Sequence, residues 1–116
     1  MKSSCMGFNP DYSEDAPTLA QISALPGDAI LEFGAPWCGH CQAARPAIEE
    51  VLSAHTSLPH IKVFDGKGKS LGRAFRVKLW PTLILLHNGT EVARLVRPLG
   101  ADQLHQLLAQ HRSLQP

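Results

Sequence analysis

The chain has 116 residues, 44% of them hydrophobic and 18% charged, which is enough for one globular domain with a single core. Its formal net charge of +1 gives no sign of a nucleic-acid partner or of a charged membrane surface. No apolar stretch is long enough to span a membrane and residues 1–8 lack the apolar segment of a signal peptide, so we expect a cytoplasmic protein.

In chain order, residues 1–15 show no clear periodicity, and we expect an irregular lead-in followed by one domain over residues 16–116. Asp15, Ala16 and Pro17 are typical of a helix start. Short apolar runs bounded by turn residues predict buried strands, and apolar positions three and four apart predict helices. The elements predicted after the first helix are a strand over 29–33, a helix over 38–55, a strand over 60–64, a helix over 70–75, strands over 82–86 and 90–96, and a helix over 101–112.

The strands over 82–86 and 90–96 are joined by Asn88-Gly89, which is a strong signal for a two-residue hairpin because both positions adopt φ above zero. The strand, helix and strand before this hairpin predict a parallel βαβ unit. The whole pattern therefore predicts an α/β domain with a mixed sheet flanked by helices.

The run Trp37-Cys38-Gly39-His40-Cys41 is the most informative segment, since it follows a buried strand and begins a helix. A cysteine at a helix N-terminus faces unpaired N–H groups and the positive end of the helix dipole, which favour its thiolate. The thiolate is the species that attacks a disulfide, so the run predicts reversible thiol–disulfide exchange. Half of a zinc site is the alternative, but with three cysteines, no second Cys-x-x-Cys and scattered histidines we expect no metal.

A wider set of residues has the order and spacing of a known family: Phe33, Ala35, the run from Trp37 to Cys41, Pro46, Pro81-Thr82 and Asn88-Gly89. Over roughly residues 16–112 the chain resembles the thioredoxin-fold oxidoreductases. The stretch from Ala35 to Cys41 is more similar to protein disulfide isomerase domains, because thioredoxins usually carry Gly-Pro between the cysteines. The resemblance implies a thioredoxin fold whose first strand is missing or degenerate, since residues 9–13 have poor strand character.

The resemblance also implies roles for individual residues. In this family the first cysteine is the nucleophile and the second resolves the mixed disulfide, which assigns these roles to Cys38 and Cys41. Pro81 resembles the family's cis-proline, whose loop lies beside the cysteines and whose preceding backbone binds an extended substrate peptide. The residues expected to contact the substrate are Trp37, Gly39, Trp80 and Pro81.

Glu32 lies six residues before Cys38, where disulfide isomerase domains also carry Glu and thioredoxins carry Asp. We expect it to be buried beneath the cysteines with a pKa raised by desolvation, so that it exchanges a proton with Cys41. Lys62 resembles the family's lysine and is the candidate partner of Glu32. His40 is expected to stabilise the Cys38 thiolate, which would make the disulfide more oxidising.

Other positions depart from the family pattern. Trp80 precedes Pro81 where a smaller residue is usual, and the loop after Val96 reads Arg97-Pro98-Leu99-Gly100 where thioredoxins commonly place a glycine that allows close substrate approach. Cys5 is expected to be a free thiol in the lead-in. The remaining histidines have no ligand-like spacing and are predicted to be surface or packing residues: His55, His60, His87, His105 and His111.

These features predict a thiol–disulfide oxidoreductase that reduces protein disulfides through a Cys38/Cys41 dithiol–disulfide cycle, with no bound cofactor. The expected partners are disulfide-containing proteins and an NADPH-dependent thioredoxin reductase, with neither nucleic acid nor membrane involved, and the expected state is a monomer. Two alternatives stay open. One is an exported disulfide oxidase or isomerase, which Gly-His between the cysteines favours, and the other is a docking module with an idle dithiol.

Overall fold

A computed structural model describes residues 3–113, with side chains described as far as residue 110. The side chain of His111, predicted above to be a surface or packing residue, lies outside that part. The helices and strands are β1 Ser4–Met6, α1 Leu19–Ser23, β2 Asp28–Gly34, α2 Gly39–Leu52, β3 Pro59–Phe64, α3 Ser70–Ala74, β4 Thr82–His87, β5 Thr90–Val96 and α4 Ala101–Ser113.

The five strands form one mixed sheet in the order β1-β3-β2-β4-β5. Strands β2 and β3 are parallel and are connected by α2, which is the predicted βαβ unit. The other three pairings are antiparallel. The predicted α/β architecture is therefore confirmed, and β2 lies at the centre of the sheet with its last residues leading directly into the cysteine run.

The core occupies both faces of the sheet. Because side chains alternate along a strand, Leu31 and Phe33 pack on one face of β2 with Ile22 of α1. Ile30 points to the opposite face, where it packs with residues of α2 and α4 such as Ile48 and Leu104. Glu32 follows the same alternation as Ile30, so the sequence places one carboxylate on the face that α2 covers.

The first strand, expected to be missing or degenerate, is present and three residues long. It pairs antiparallel with β3, and Ser13 forms a further parallel bridge to Val63. The lead-in, expected to be irregular, is therefore part of the sheet. A buried polar side chain orders it, since the Asn9 amide donates to the carbonyls of Ser3 (2.8 Å) and His60 (3.1 Å).

The start of α1 also differs from the prediction. The N-cap is Thr18, three residues after Asp15, and its hydroxyl accepts from the backbone N–H of Gln21 at 3.1 Å. The Gln21 side chain accepts in return from the N–H of Thr18 at 2.9 Å. This capping box satisfies two of the helix's free donors, so α1 begins at Leu19.

The hairpin between β4 and β5 has the predicted turn, with φ of 50° at Asn88 and 80° at Gly89. The turn is anchored to the connection between α1 and β2, because the Asn88 side chain accepts from the backbone N–H of Gly27 at 2.7 Å. None of the described helices is both long and apolar enough to cross a membrane.

Candidate active site

The cysteine pair lies where β2 ends and α2 begins. Cys38 is the N-cap of α2, and its sulfur accepts from the backbone N–H of Cys41 at 3.3 Å. Cys38 is partly exposed whereas Cys41 is 5% exposed, and both are free thiols. The helix N-terminus thus presents one sulfur to a substrate and keeps the second sulfur behind it, one turn into the helix.

The peptide bond between Trp80 and Pro81 is cis, which confirms that prediction. Strand β4 pairs with β2 so that Thr82 lies opposite Phe33, and this register puts Pro81 at the edge of the sheet where β2 leads to Cys38. The pairing of β2 and β4 therefore brings Pro81 to the end of the sheet from which the cysteine run begins.

Two side chains restrain the residue before this proline. The Trp80 indole N–H donates to Oδ2 of the buried Asp65 at 2.9 Å. The Nε of Arg97 donates to the Trp80 carbonyl oxygen at 2.8 Å, while the Arg97 backbone N–H donates to the Pro81 carbonyl at 3.0 Å. The carbonyl of Trp80 therefore already accepts a hydrogen bond from Arg97.

Glu32 is 1% exposed and lies on the α2 face of β2. One carboxylate oxygen, Oε1, accepts from Nε2 of His60 at 2.8 Å, and the other, Oε2, accepts from the hydroxyl of Tyr12. Nδ1 of His60 accepts the backbone N–H of Asn9 at 2.9 Å, which leaves the ring proton on Nε2. His60 is therefore a buried donor to Glu32.

The pKa of Glu32 is lowered, which corrects the expectation of a raised value. Burial alone would raise the pKa, but the hydrogen bonds from His60 and Tyr12 and the positive charge of Lys62 outweigh it. The sequence showed a carboxyl in an apolar strand but gave no sign of the two donors that keep it ionised.

Lys62 lies beside Glu32 in the register of β2 and β3 and is 4% exposed. Its ammonium donates to the Pro10 carbonyl at 3.1 Å and lies 4.3 Å from the centre of the Tyr12 ring. Burial lowers the pKa of Lys62, and the charge of Glu32 acts against that shift. The predicted neighbour is thus in place, while the group that hydrogen-bonds Glu32 from β3 is His60.

Cys41 faces Tyr12 across the position of Gly34. A Cβ at Gly34 would lie 2.5 Å from Tyr12 Oη and 2.7 Å from Cys41 Sγ, so both atoms occupy the space that glycine leaves open. Burial raises the pKa of Cys41 to about 11, although the Tyr12 hydroxyl, which would donate to a Cys41 thiolate, acts in the opposite direction. Near neutral pH, Cys41 is therefore a thiol that must lose its proton before it can attack.

The remaining predicted residues of the cysteine run are neighbours of the partly exposed Cys38 in the sequence. Trp37 is 64% exposed and packs edge-on against Phe64, with ring centroids 4.8 Å apart. Gly39 is exposed and a Cβ there would meet no atom within 4 Å. His40 is exposed in the first turn of α2, and no hydrogen bond between its ring and Cys38 is found in the described part of the chain.

Sequence reasoning missed Tyr12, His60 and Asn9. Tyr12 lies in the expected irregular lead-in, and His60 is a buried partner of Glu32 as well as a packing residue. A buried cluster of three or more metal-ligating side chains does not occur among residues 3–110. For Tyr12, the only signal in the sequence was that it is the one tyrosine of the chain and lies just before the apolar domain.

The fold and this arrangement of cysteines, cis-proline and buried carboxylate define a thioredoxin-fold thiol–disulfide oxidoreductase. The thioredoxin family model matches residues 5–110, so the chain belongs to the thioredoxin family. Members of this family reduce protein disulfides.

Individual relatives agree with this assignment. Thioredoxin-1 of Caenorhabditis elegans is 34% identical over 86 residues, covering 74% of this chain and 74% of its own length. Thioredoxin H2-1 of Oryza sativa is 34% identical over 74 residues, and the match spans 64% of this chain but 51% of the rice protein. The solved structure of reduced thioredoxin 2 from Pseudomonas aeruginosa PAO1 is 45% identical with a TM-score of 0.81, covering 91% of this chain and 99% of that one.

Proposed function

We propose that this chain reduces disulfides in other proteins, with Cys38 as the nucleophile and Cys41 as the resolving thiol. The observation that carries the proposal is the difference in exposure between the two sulfurs. Cys38 is partly exposed at the N-cap of α2, and Cys41 is buried on the side of Tyr12, whose hydroxyl donates to Glu32. A substrate disulfide can reach the first sulfur, and only a group already bound to Cys38 meets the second.

The reaction has two exchange steps. The Cys38 thiolate attacks one sulfur of the substrate disulfide, forming a mixed disulfide and releasing the other sulfur as a thiolate. Cys41 then loses its proton and attacks Cys38, which forms the Cys38–Cys41 disulfide and releases the second substrate thiolate. Two electrons pass from the chain to the substrate, and an NADPH-dependent thioredoxin reductase is the proposed source of the electrons that restore the dithiol.

Glu32 is the proposed acceptor of the Cys41 proton. Its lowered pKa keeps it ionised at neutral pH, so it is always able to accept. The same low pKa means that it holds a proton weakly while Cys41 remains a free thiolate. Transfer is therefore coupled to formation of the new S–S bond, because a disulfide sulfur no longer competes for the proton.

Trp37, Gly39, Trp80 and Pro81 are proposed to form the surface that receives the substrate, with His40 stabilising the Cys38 thiolate. Trp37 supports this assignment because it is a large aromatic side chain that is 64% exposed beside the reactive sulfur. The proposed working state is a cytoplasmic monomer, and the exported oxidase or isomerase remains the alternative that Gly-His between the cysteines favours.

The test compares cysteine variants in the reduction of insulin disulfides by dithiothreitol. Cys38→Ser and Cys41→Ser should both lose the catalysed rate. When reduced Cys41→Ser is mixed with insulin after the dithiothreitol is removed, it should accumulate a mixed disulfide that a non-reducing gel separates. Cys5→Ser is the matched control and should keep the wild-type rate, since Cys5 lies exposed in β1 away from the pair. An active Cys38→Ser protein would refute the proposal and favour the docking module.

A further inference from the structure

The Tyr12 side chain lies between the resolving cysteine and the buried carboxylate. Its hydroxyl donates to Oε2 of Glu32. The same hydroxyl lies on the side of Cys41, since a Cβ at Gly34 would lie 2.5 Å from Tyr12 Oη and 2.7 Å from Cys41 Sγ. Tyr12 is the only tyrosine in the sequence and lies in the segment before the first helix.

The position of this hydroxyl is fixed from three sides. The segment is held along β3 because the Ser13 N–H donates to the Lys62 carbonyl at 3.0 Å and the Phe64 N–H donates to the Ser13 carbonyl at 2.9 Å. The ammonium of Lys62 covers the tyrosine ring at 4.3 Å from its centre. Gly34 then leaves room for the hydroxyl, since a Cβ there would overlap it.

Each oxygen of the Glu32 carboxylate accepts a hydrogen bond from a different donor. Oε1 is taken by the Nε2–H of His60, whose other nitrogen accepts from Asn9. Oε2 is bonded to the hydroxyl of Tyr12. The Tyr12 hydroxyl therefore lies between Oε2 of Glu32, to which it donates, and the sulfur of Cys41.

We propose that the Tyr12 hydroxyl carries the proton of Cys41 to Glu32 during resolution of the mixed disulfide. This inference rests on the function proposed above. In the resting state the S–H of Cys41 donates to Tyr12 Oη while the Tyr12 O–H donates to Oε2 of Glu32. As Cys41 attacks Cys38, its proton moves to the tyrosine oxygen and the tyrosine proton moves to Glu32, so Tyr12 ends neutral.

The electrostatic surroundings favour a neutral tyrosine throughout. Burial raises the pKa of Tyr12 above its ordinary value, and the charge of Glu32 raises it further. The other titratable or charged groups that act on the chain of hydrogen bonds come from every element around it: Asp11 of the lead-in, Cys38 and Arg45 of α2, and His60 and Lys62 of β3. A double proton transfer avoids placing a phenolate among them.

The test follows the resolving step directly, in a Cys5→Ser background. The dithiol is mixed with 5,5′-dithiobis(2-nitrobenzoate) in a stopped-flow instrument, where attack by Cys38 releases one coloured thiolate and resolution by Cys41 releases the second. Tyr12→Phe keeps the ring and removes the hydroxyl. We expect the second phase to slow by about 10²-fold near neutral pH and to become proportional to hydroxide, because Cys41 must then ionise unaided.

A double variant separates a relay from two independent effects. If Tyr12 and Glu32 act as one chain, Tyr12→Phe combined with Glu32→Gln should be no slower than the slower single variant. Ser13→Ala removes a hydroxyl from the same segment without touching the chain and should match wild type. The relay would be overturned if the two substitutions slowed the second phase by factors that multiply in the double variant, or if Tyr12→Phe had the wild-type second phase. If Tyr12→Phe is unaffected while Glu32→Gln is slow, only the relay fails and the proposed function stands.

A measurement on the otherwise unaltered chain covers the case in which Tyr12→Phe does not fold. Since the chain has one tyrosine, labelling tyrosine with ¹³C at Cζ reports Tyr12 alone. When Cys41 loses its proton, the Tyr12 hydroxyl should turn from Glu32 to the sulfur, so the Cζ shift should change with the same apparent pKa as Cys41. A Cζ shift that stays constant while Cys41 titrates would contradict the proposal.

Discussion

At the scale of single residues, Glu32 contributes both to the stability of the fold and to the proposed proton transfer. The carboxylate is almost completely buried, yet it is kept ionised by donors from the lead-in and from β3, Tyr12 and His60. A buried charge with two donors and a nearby cation is stable only as a set, because removal of any member leaves another polar group without its partner. One of these donors, the Tyr12 hydroxyl, also lies on the side of Cys41 and so connects the carboxylate to the resolving cysteine.

The stability role gives a pH-dependent prediction. The pKa of Glu32 is lower in the folded chain than its ordinary value, so the stabilisation is fully present above the unfolded pKa and is lost as the pH falls through the folded pKa. Glu32→Gln places an uncharged amide next to the two donors, Tyr12 and His60. The substitution should therefore lower the free energy of unfolding by about 1–3 kcal/mol at neutral pH. Urea unfolding at about pH 7 and about pH 3.5 should show a smaller difference between the two proteins in acid; a difference that does not change with pH would contradict it.

At the scale of elements, local signals predicted those parts of the fold that are determined locally. The apolar runs of β2, β3 and β4 and the Asn88-Gly89 turn carry their structure in adjacent residues, and all were placed from the sequence. The capping box between Thr18 and Gln21 is also a local signal, but the sequence prediction did not use it and placed the helix start at Asp15 to Pro17, which is too early.

The turn at Gly89 gives a prediction for the hairpin. It has φ of 80°, and a Cβ there would lie 2.2 Å from the backbone oxygen of Ser23, which a rotamer change cannot move. Gly89→Ala should therefore destabilise the protein by about 2–4 kcal/mol. Gly68→Ala is the matched control, since Gly68 has φ of 82° and open space around its Cβ position, so it should cost only the backbone penalty of about 1–2 kcal/mol.

Thermal and urea unfolding of the two glycine variants distinguish these contributions. Equal losses of stability in Gly68→Ala and Gly89→Ala would mean that backbone conformation alone matters and that the packing of the turn against the end of α1 contributes nothing.

At the scale of the whole molecule, the sequence predicted the sheet and the cysteine site but not the connection between them. Tyr12 bonds Glu32 across 20 positions, His60 bonds it across 28, and Asn9 bonds His60 across 51. Contacts of this kind leave no periodic pattern, because each depends on which strands become neighbours. The lead-in therefore read as irregular, although in the folded chain it supplies one strand and one side of the site.

The direction of the reaction, reduction or oxidation of the substrate, depends on whether the assembled fold or the dipeptide between the cysteines has the larger effect on the disulfide. The burial of Cys41, its raised pKa and the buried carboxylate of Glu32 all depend on the assembled fold. Gly39 and His40, by contrast, are exposed residues whose influence is set by the local sequence. If the fold dominates, the disulfide should be a weak oxidant, as in thioredoxin, and the chain should act as a reductase. If the exposed dipeptide dominates, the disulfide should be a stronger oxidant, as in disulfide isomerase.

The most direct test of the central claim is the reduction potential of the Cys38–Cys41 pair, measured for Cys5→Ser in glutathione redox buffers. A reductase that cycles between dithiol and disulfide should have a potential nearer to about −270 mV, the thioredoxin value, than to about −180 mV, the disulfide isomerase value. A potential near the latter would contradict net reduction and support the oxidase or isomerase. A pair that forms no disulfide at any buffer ratio would contradict the dithiol–disulfide cycle itself.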